Sequence, residues 1–123
     1  MITYKQTDNI FHINLDEEVV YDEFVKLSNE IVKVEAKNDI LLLKYDLRTC
    51  NLNFTVNDYK RVSNLALNTT KKYRLVKAAF VVTSPRLTAM LTIFSQLAPS
   101  NHTQRKVFST NEAAISWLQL FNQ

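Results

Sequence analysis

VKAAFVVTSPRLTAMLTIFSQLA, residues 76–98, contains the transition that decides the fold. Its first part, Val76 to Thr83, is apolar at both odd and even positions, as expected of a strand buried on two faces. After Ser84-Pro85 the period changes. Leu87, Met90, Leu91 and Phe94 recur at spacings of three and four, which predicts a helix over 85–98. Ser84 supplies an N-cap oxygen, and Pro85 occupies the first helical position, where its missing N–H is not needed. A doubly buried strand that runs straight into a helix is half of a βαβ unit, so the sheet should be covered by helices on both sides. The helix is broadly apolar. Ile93, Leu97, Met90, Phe94, Leu87, Ala98 and Leu91 span about 160°, and Ala89 extends this to about 200°, where a sheet-facing helix needs roughly 100°. The surplus would pack on neighbouring helices, cover an apolar ligand, form a dimer face or touch lipid.

The same alternation of patterns continues outward. Residues 2–6 and 10–15 read as two strands around the compact turn Thr7-Asp8-Asn9, with Phe11, Ile13 and Leu15 on one side of the second strand. Residues 21–36 read as a helix with Phe24, Leu27, Ile31 and Val34 inward. Ile40 to Leu47 is a second central strand, and residues 57–70 form a helix with Tyr59, Val62, Ala66 and Leu65 inward. Thr55 with Asp58 makes a capping box in which aspartate replaces the usual glutamate. Lys106 to Ser109 is a short strand. Ser109 with Glu112 would cap the last helix, which has Ala114, Trp117, Leu118 and Phe121 inward. The order is ββαβαβαβα over residues 1–123 as one domain: an α/β fold with a mixed, mostly parallel sheet of about five strands, an N-terminal β-hairpin and four helices.

Composition limits the chemistry. With 46% hydrophobic and 22% charged residues the chain is of ordinary globular make-up and can bury its own core. It has no glycine. The Gly-rich phosphate loops and the G-x-S-x-G elbow need glycine for positive φ and close backbone approach, so all are excluded. One cysteine, Cys50, and two distant histidines form no metal cluster, and no cofactor signature is present. The apolar runs are too short to span a bilayer, and the N-terminus does not read as a signal peptide, so the expected location is cytoplasmic.

Three stretches, DILLLKYDLR (39–48), KAAFVVT (77–83) and VFSTNEAAISWL (107–118), resemble in order and spacing the SpoIIAA-like family, a branch of the STAS fold also likened to the CRAL-TRIO lipid-transfer fold. The resemblance covers nearly the whole chain. It implies a non-enzymatic α/β domain, often dimeric, associated with apolar ligands or membranes. In the related anti-sigma-factor antagonists a serine in an Asp-Ser-Ser-Gly type turn is switched by phosphorylation. The equivalent turn here, DLRTCNLNFTVND (46–58), lacks that signature; Thr55 stands nearest the helix start.

The candidate sites follow from these readings. Ligands of open α/β sheets sit beyond the carboxyl ends of the parallel strands, which brings in Arg48, Ser84 and Arg86 as an anion-binding edge. Leu87, Met90, Leu91 and Phe94 are the expected lining of an apolar or lipid-like ligand site, and the same helix face serves membrane contact or a homodimer. The alternative function is a regulatory protein-interaction switch of the anti-sigma-antagonist type, with Thr55 as its phosphorylation site. Asp46 has no histidine or second carboxylate placed with it by sequence, which argues against an enzyme. His12 and His102 are expected at the surface. Lys71, Lys72, Arg74, Lys77, Arg105 and Lys106 gather late in the chain, but a net charge of +3 and the lack of a recognition motif argue against nucleic acid.

Overall fold

The structure, a computed structural model, describes residues 1–97 and 102–120. The expectations for Ala98, Phe121 and the side chain of Leu97 fall outside what it describes. The elements are β1 (Ile2–Thr7), β2 (Ile10–Glu18), α1 (Tyr21–Ile31), β3 (Ile40–Asn51), α2 (Val56–Thr70), β4 (Leu75–Val81), α3 (Pro85–Leu97), β5 (Thr103–Phe108) and α4 (Asn111–Gln119). The five strands form one sheet in the order β1-β2-β3-β4-β5. The hairpin β1–β2 is antiparallel, and β2, β3, β4 and β5 pair in parallel. This is the mixed sheet expected from the pattern, with β2 shared between its two parts.

With no glycine, the chain reaches left-handed conformations at Asp8, Asn9, Glu17, Asn38 and Asp39. Asp8 and Asn9, at φ 54° and 64°, form the two-residue hairpin loop. Primed turns need positive φ at both central positions, and short polar side chains tolerate it best after glycine. Glu17 sits just past a register shift between β2 and β3 that bends the end of β2.

Alternation along each strand splits the interior in two. Phe11, Ile13, Leu15, Leu41, Leu43, Ala78 and Phe80 pack with α1, α2 and α3. Ile10, Leu42, Ala79 and Val81 face the other way, against Ala114 and Leu118 of α4. The double burial read from Ile40–Leu43 and Val76–Val82 is therefore real, although one face has three helices and the other has one.

Several element ends differ from the sequence reading; β2 runs on to Glu18, and β4, read as Val76 to Thr83, spans Leu75–Val81. The helix expected to reach residue 36 stops at Ile31, where Tyr73 and Lys72 take its last carbonyls. The Tyr73 hydroxyl lies 3.0 Å from Ile31 O and 2.5 Å from Val34 O, and Lys72 Nζ donates to Val32 O. Tertiary donors end this helix in place of the missing glycine. β3 runs on to Asn51 because Thr49, Cys50 and Asn51 pair with the bent end of β2. The last helix is capped by Thr110, not Ser109: Thr110 Oγ1 accepts from Ala113 N at 3.2 Å, one residue later than the Ser109–Glu112 box requires. β5 is also longer at its start, beginning at Thr103.

Candidate functional site

At the carboxyl edge of the sheet, the turn from β4 to α3 has the local chemistry its sequence implies. Ser84 Oγ accepts from Leu87 N at 3.3 Å, and Ser84 O accepts from Thr88 N at 3.0 Å, so Ser84 is the N-cap and Pro85 opens the helix. Arg86, exposed in the first turn, donates to Leu52 O at 3.3 Å and ties this turn to the loop before α2.

That loop delivers Thr55, which is exposed and caps α2. Thr55 Oγ1 accepts from Asp58 N at 3.2 Å and donates to Asp58 Oδ2 at 3.1 Å, while Asp58 Oδ2 also accepts from Thr55 N at 2.9 Å. These hydrogen bonds hold the Asp58 carboxyl below its usual range, the backbone bond from Thr55 contributing most. The shortened box works because aspartate at this position still reaches the N-cap amide.

Arg48 belongs to a different network. Its guanidinium grips Asp46 through Nε at 3.0 Å and NH2 at 2.7 Å, and its amide adds a bond at 3.1 Å. The pairing lowers the Asp46 pKa, chiefly through the side-chain hydrogen bond from Arg48. Asp46 is therefore an ionised, fully engaged carboxylate at neutral pH. Arg48 and Arg86, grouped by the sequence as one anion-binding edge, each have a protein partner of their own.

The α3 residues are placed by packing. Leu87, Leu91 and Phe94 are buried against the sheet, and Met90 is partly buried beside them. The Phe94 ring stands edge-on to Phe80 and tilts against Tyr59. Full burial of such a side chain contributes roughly 1.5–3 kcal/mol, so packing alone accounts for these positions. Of the broad apolar arc, Ile93 remains outside, 45% exposed. Beneath α2, among α1, α3 and the sheet, lies a cavity of about 90 Å³ reached by Leu91, Phe94, Val62, Leu65 and Tyr45. Burial there pushes the Tyr45 hydroxyl up to about 12.

The late basic residues do not form one patch. Lys77 is buried and donates to Gln104 Oε1, Arg105 lies over the Phe94 ring, and Lys106 lies near Phe108 on the opposite face. Cys50 is half-buried, and burial raises its thiol pKa, the reverse of what a nucleophile needs. Among the described residues no group of three or more His, Cys, Asp and Glu is arranged to hold a metal ion, and no helix is long and apolar enough to cross a membrane.

The histidines are less exposed than the sequence implied. His102 Nε2 lies 3.3 Å from Thr70 O, and His12 is half-buried with its pKa lowered, first by burial and then by Lys44 and Lys5. His12 and Asp46 line one groove, a juxtaposition the sequence reading missed because it depends on the register of β2 on β3. The available signal was the polar residue at every second position of β2, which implied a face that no helix fully covers.

Neither a family model nor a curated protein matches the sequence at a significant level. Solved structures do match it in shape. An uncharacterized protein of the DUF3478 family with a SpoIIAA-like fold, from Shewanella loihica PV-4, aligns with a TM-score of 0.63 at 11% identity, over 96% of this chain and 92% of that one. An anti-sigma factor antagonist from Mycobacterium paratuberculosis aligns with a TM-score of 0.57 at 13% identity, over 97% and 93% of the two chains. The chain has a SpoIIAA-like fold.

Proposed function

We propose that this protein is a non-enzymatic, cytoplasmic regulatory domain that binds a partner protein through the edge where β3 leads into α2, and that phosphorylation of Thr55 switches the contact. The observation that carries this reading is the exposed Thr55 hydroxyl, engaged by Asp58 at the first turn of a fifteen-residue helix. A phosphoryl group there removes the O–H donated to Asp58 and brings roughly −1.5 to −2 charges beside that carboxylate. The capping box would then break, although the helix end itself favours the anion. The edge would change in charge and shape at one point. The likeness of fold to an anti-sigma factor antagonist supports the reading.

The state of the titratable groups supports the non-enzymatic part. Asp46 is held ionised by Arg48, and Cys50 is held protonated by burial. The apolar-ligand reading has less support, because small-molecule pockets occupy roughly 300–1,000 Å³ and the cavity touching Leu91 and Phe94 is about 90 Å³. Membrane contact or a dimer through α3 would rest on Ile93, the exposed large apolar side chain of that helix among the described residues.

Affinity capture with the wild type, Thr55→Ala and Thr55→Glu, read by quantitative mass spectrometry, tests the proposal. A partner retained by the wild type and Thr55→Ala but reduced at least about tenfold by Thr55→Glu, as expected for a charge-changing switch, supports it. An identical partner set for all three proteins overturns it.

A further inference from the structure

Strand register assembles a second feature far from Thr55 in sequence. Lys5 of β1 stands opposite His12 of β2, and His12 stands opposite Lys44 of β3. Adjacent strands lie about 4.8 Å apart, and directly paired residues point to the same face, so three basic side chains form one row. Ala79, the next residue in the row, is packed under α4. Toward β1 the face is open. A groove of about 590 Å³ lies there, bounded by Lys5, His12, Lys44 and Asp46 on the strands, by Asp8 in the hairpin turn and by Asn111 and Ile115 on α4.

Among the described residues two carboxylates share the groove with the row, Asp8 and Asp46, and Asp46 acts on Lys44 more strongly than Arg48 or Lys5 does. Like charges directly opposite one another on neighbouring strands are destabilising. Asp46 is the nearest carboxylate of β3, and Arg48 occupies both of its oxygens. Asp8, in the hairpin turn, has the weakest influence on His12 of the groups that act on it. Lys44 is 6% exposed, and its ammonium donates to Asn111 Oδ1 at 2.5 Å. An ammonium has three donors, and this neutral acceptor uses one.

We propose that this groove binds a small molecule bearing a phosphate or carboxylate, with the anion seated across Lys5, His12 and Lys44 and the remainder against Ile10 and Ile115. Two observations favour a small molecule over an acidic protein surface. The volume falls within the range of small-molecule pockets, and Lys44 lines the groove while only 6% of the residue is exposed, which offers a flat partner little to contact. The proposal goes beyond the switch at Thr55 and uses none of its residues.

Protonation of His12 is coupled to occupancy. Burial, Lys44 and Lys5 all lower the pKa of the ring, and a backbone bond from Thr7 and the charge of Asp8 act the other way. The groups facing it are Lys5 of β1, Asp8 of the turn, and Lys44 and Asp46 of β3. Arg48 pairs with Asp46 and interacts with Glu112 of α4, while Asp46 still favours the charged form of Lys44. An anion on the row offsets the two lysines, so binding takes up a proton and tightens as pH falls through the histidine range.

Backbone-amide NMR titrations with phenyl phosphate and with benzoate, at about pH 5 and about pH 8, well to either side of an ordinary histidine pKa of about 6.5, test this. The full chain is used as wild type, Lys44→Met, His12→Gln and the surface control Lys71→Gln. Saturable shifts at Lys5, His12, Lys44 and Asn111 are expected, tighter at the lower pH, retained by Lys71→Gln and weakened at least about tenfold by Lys44→Met. Which probe binds more tightly identifies phosphate or carboxylate as the recognised group. Where Lys44→Met does not fold, His12→Gln must remove the pH dependence. Non-saturable shifts, full affinity in Lys44→Met, or binding of an oligoglutamate peptide but neither small anion overturns the proposal.

Discussion

The two faces of the sheet are made by alternate residues of the same strands, yet they are different environments. One face meets α1, α2 and α3 and is filled by aliphatic side chains and rings, with Phe54, Tyr59, Phe94, Phe80 and Tyr45 in successive contact. The other meets α4 alone, has a small apolar cluster around Ala114 and Leu118, and buries two lysines, Lys44 and Lys77. The number of helices crossing a face decides how much of it can stay polar. Cohesion is concentrated on the first face, which leaves room for charged chemistry on the second.

Phe94 and Lys44 give the sharpest test of this contrast, since each is 6% exposed and each sits on a different side. Phe94→Ala should destabilise the fold by about 3–5 kcal/mol, because the ring packs on Phe80 and Tyr59 and its loss enlarges the cavity beside it. Equilibrium urea unfolding measures it. Leu118→Ala, which empties the small cluster under α4, should cost about 2–5 kcal/mol by the same principle and the same measurement. Thr55→Ala should cost about 1 kcal/mol, the usual value of an N-cap, since it belongs to neither face. Lys44→Met should change stability by no more than about 1 kcal/mol in either direction, because a buried charge gives way to an apolar chain of similar length. A loss comparable to that of Phe94→Ala would show that the second face is as tightly determined as the first.

Acid should act on the second face, which holds both His12 and Asp46. The folded pKa of His12 is lowered, so the folded state resists a proton that the unfolded chain accepts. Its contribution is unfavourable below the folded pKa and disappears as pH rises through the window up to the unfolded value near 6.5. Asp46 is lowered as well, and as an acid it stabilises above its unfolded pKa and loses that effect as pH falls through the folded one. Stability should therefore fall on acidification in two steps, histidine first. His12→Gln should remove the upper step and leave the lower, as read by urea midpoints across pH.

The element order, both central strands and the caps at Thr55 and Ser84 were legible in the sequence, because each depends on residues within a few positions of one another. The end of α1 was not, since Tyr73 and Lys72 act from some forty residues away. Nor was the division of helices between faces. Periodicity shows that Leu41, Leu42 and Leu43 are all buried but not that α4 is the one helix over Leu42. The breadth of the apolar arc on α3 left packing within the chain, an apolar ligand, a dimer face and lipid all open; Leu87, Leu91 and Phe94 are used in packing within the chain. The basic row stayed hidden because Lys5, His12 and Lys44 become neighbours only when the register of two strand pairs is known.

The strand order also bears on how the chain acquires its shape. Every strand pairs with the strand before it in sequence, so none must wait for a later segment to be inserted between two others. The sheet can grow one strand at a time from the hairpin at Asp8-Asn9, with each newly completed strand serving as the edge on which the next one docks. Loops are closed over neighbouring segments, which keeps the entropic cost of each step small. During synthesis on the ribosome, assembly can keep pace with the emerging chain, leaving β5 and α4 as the final pieces to be added.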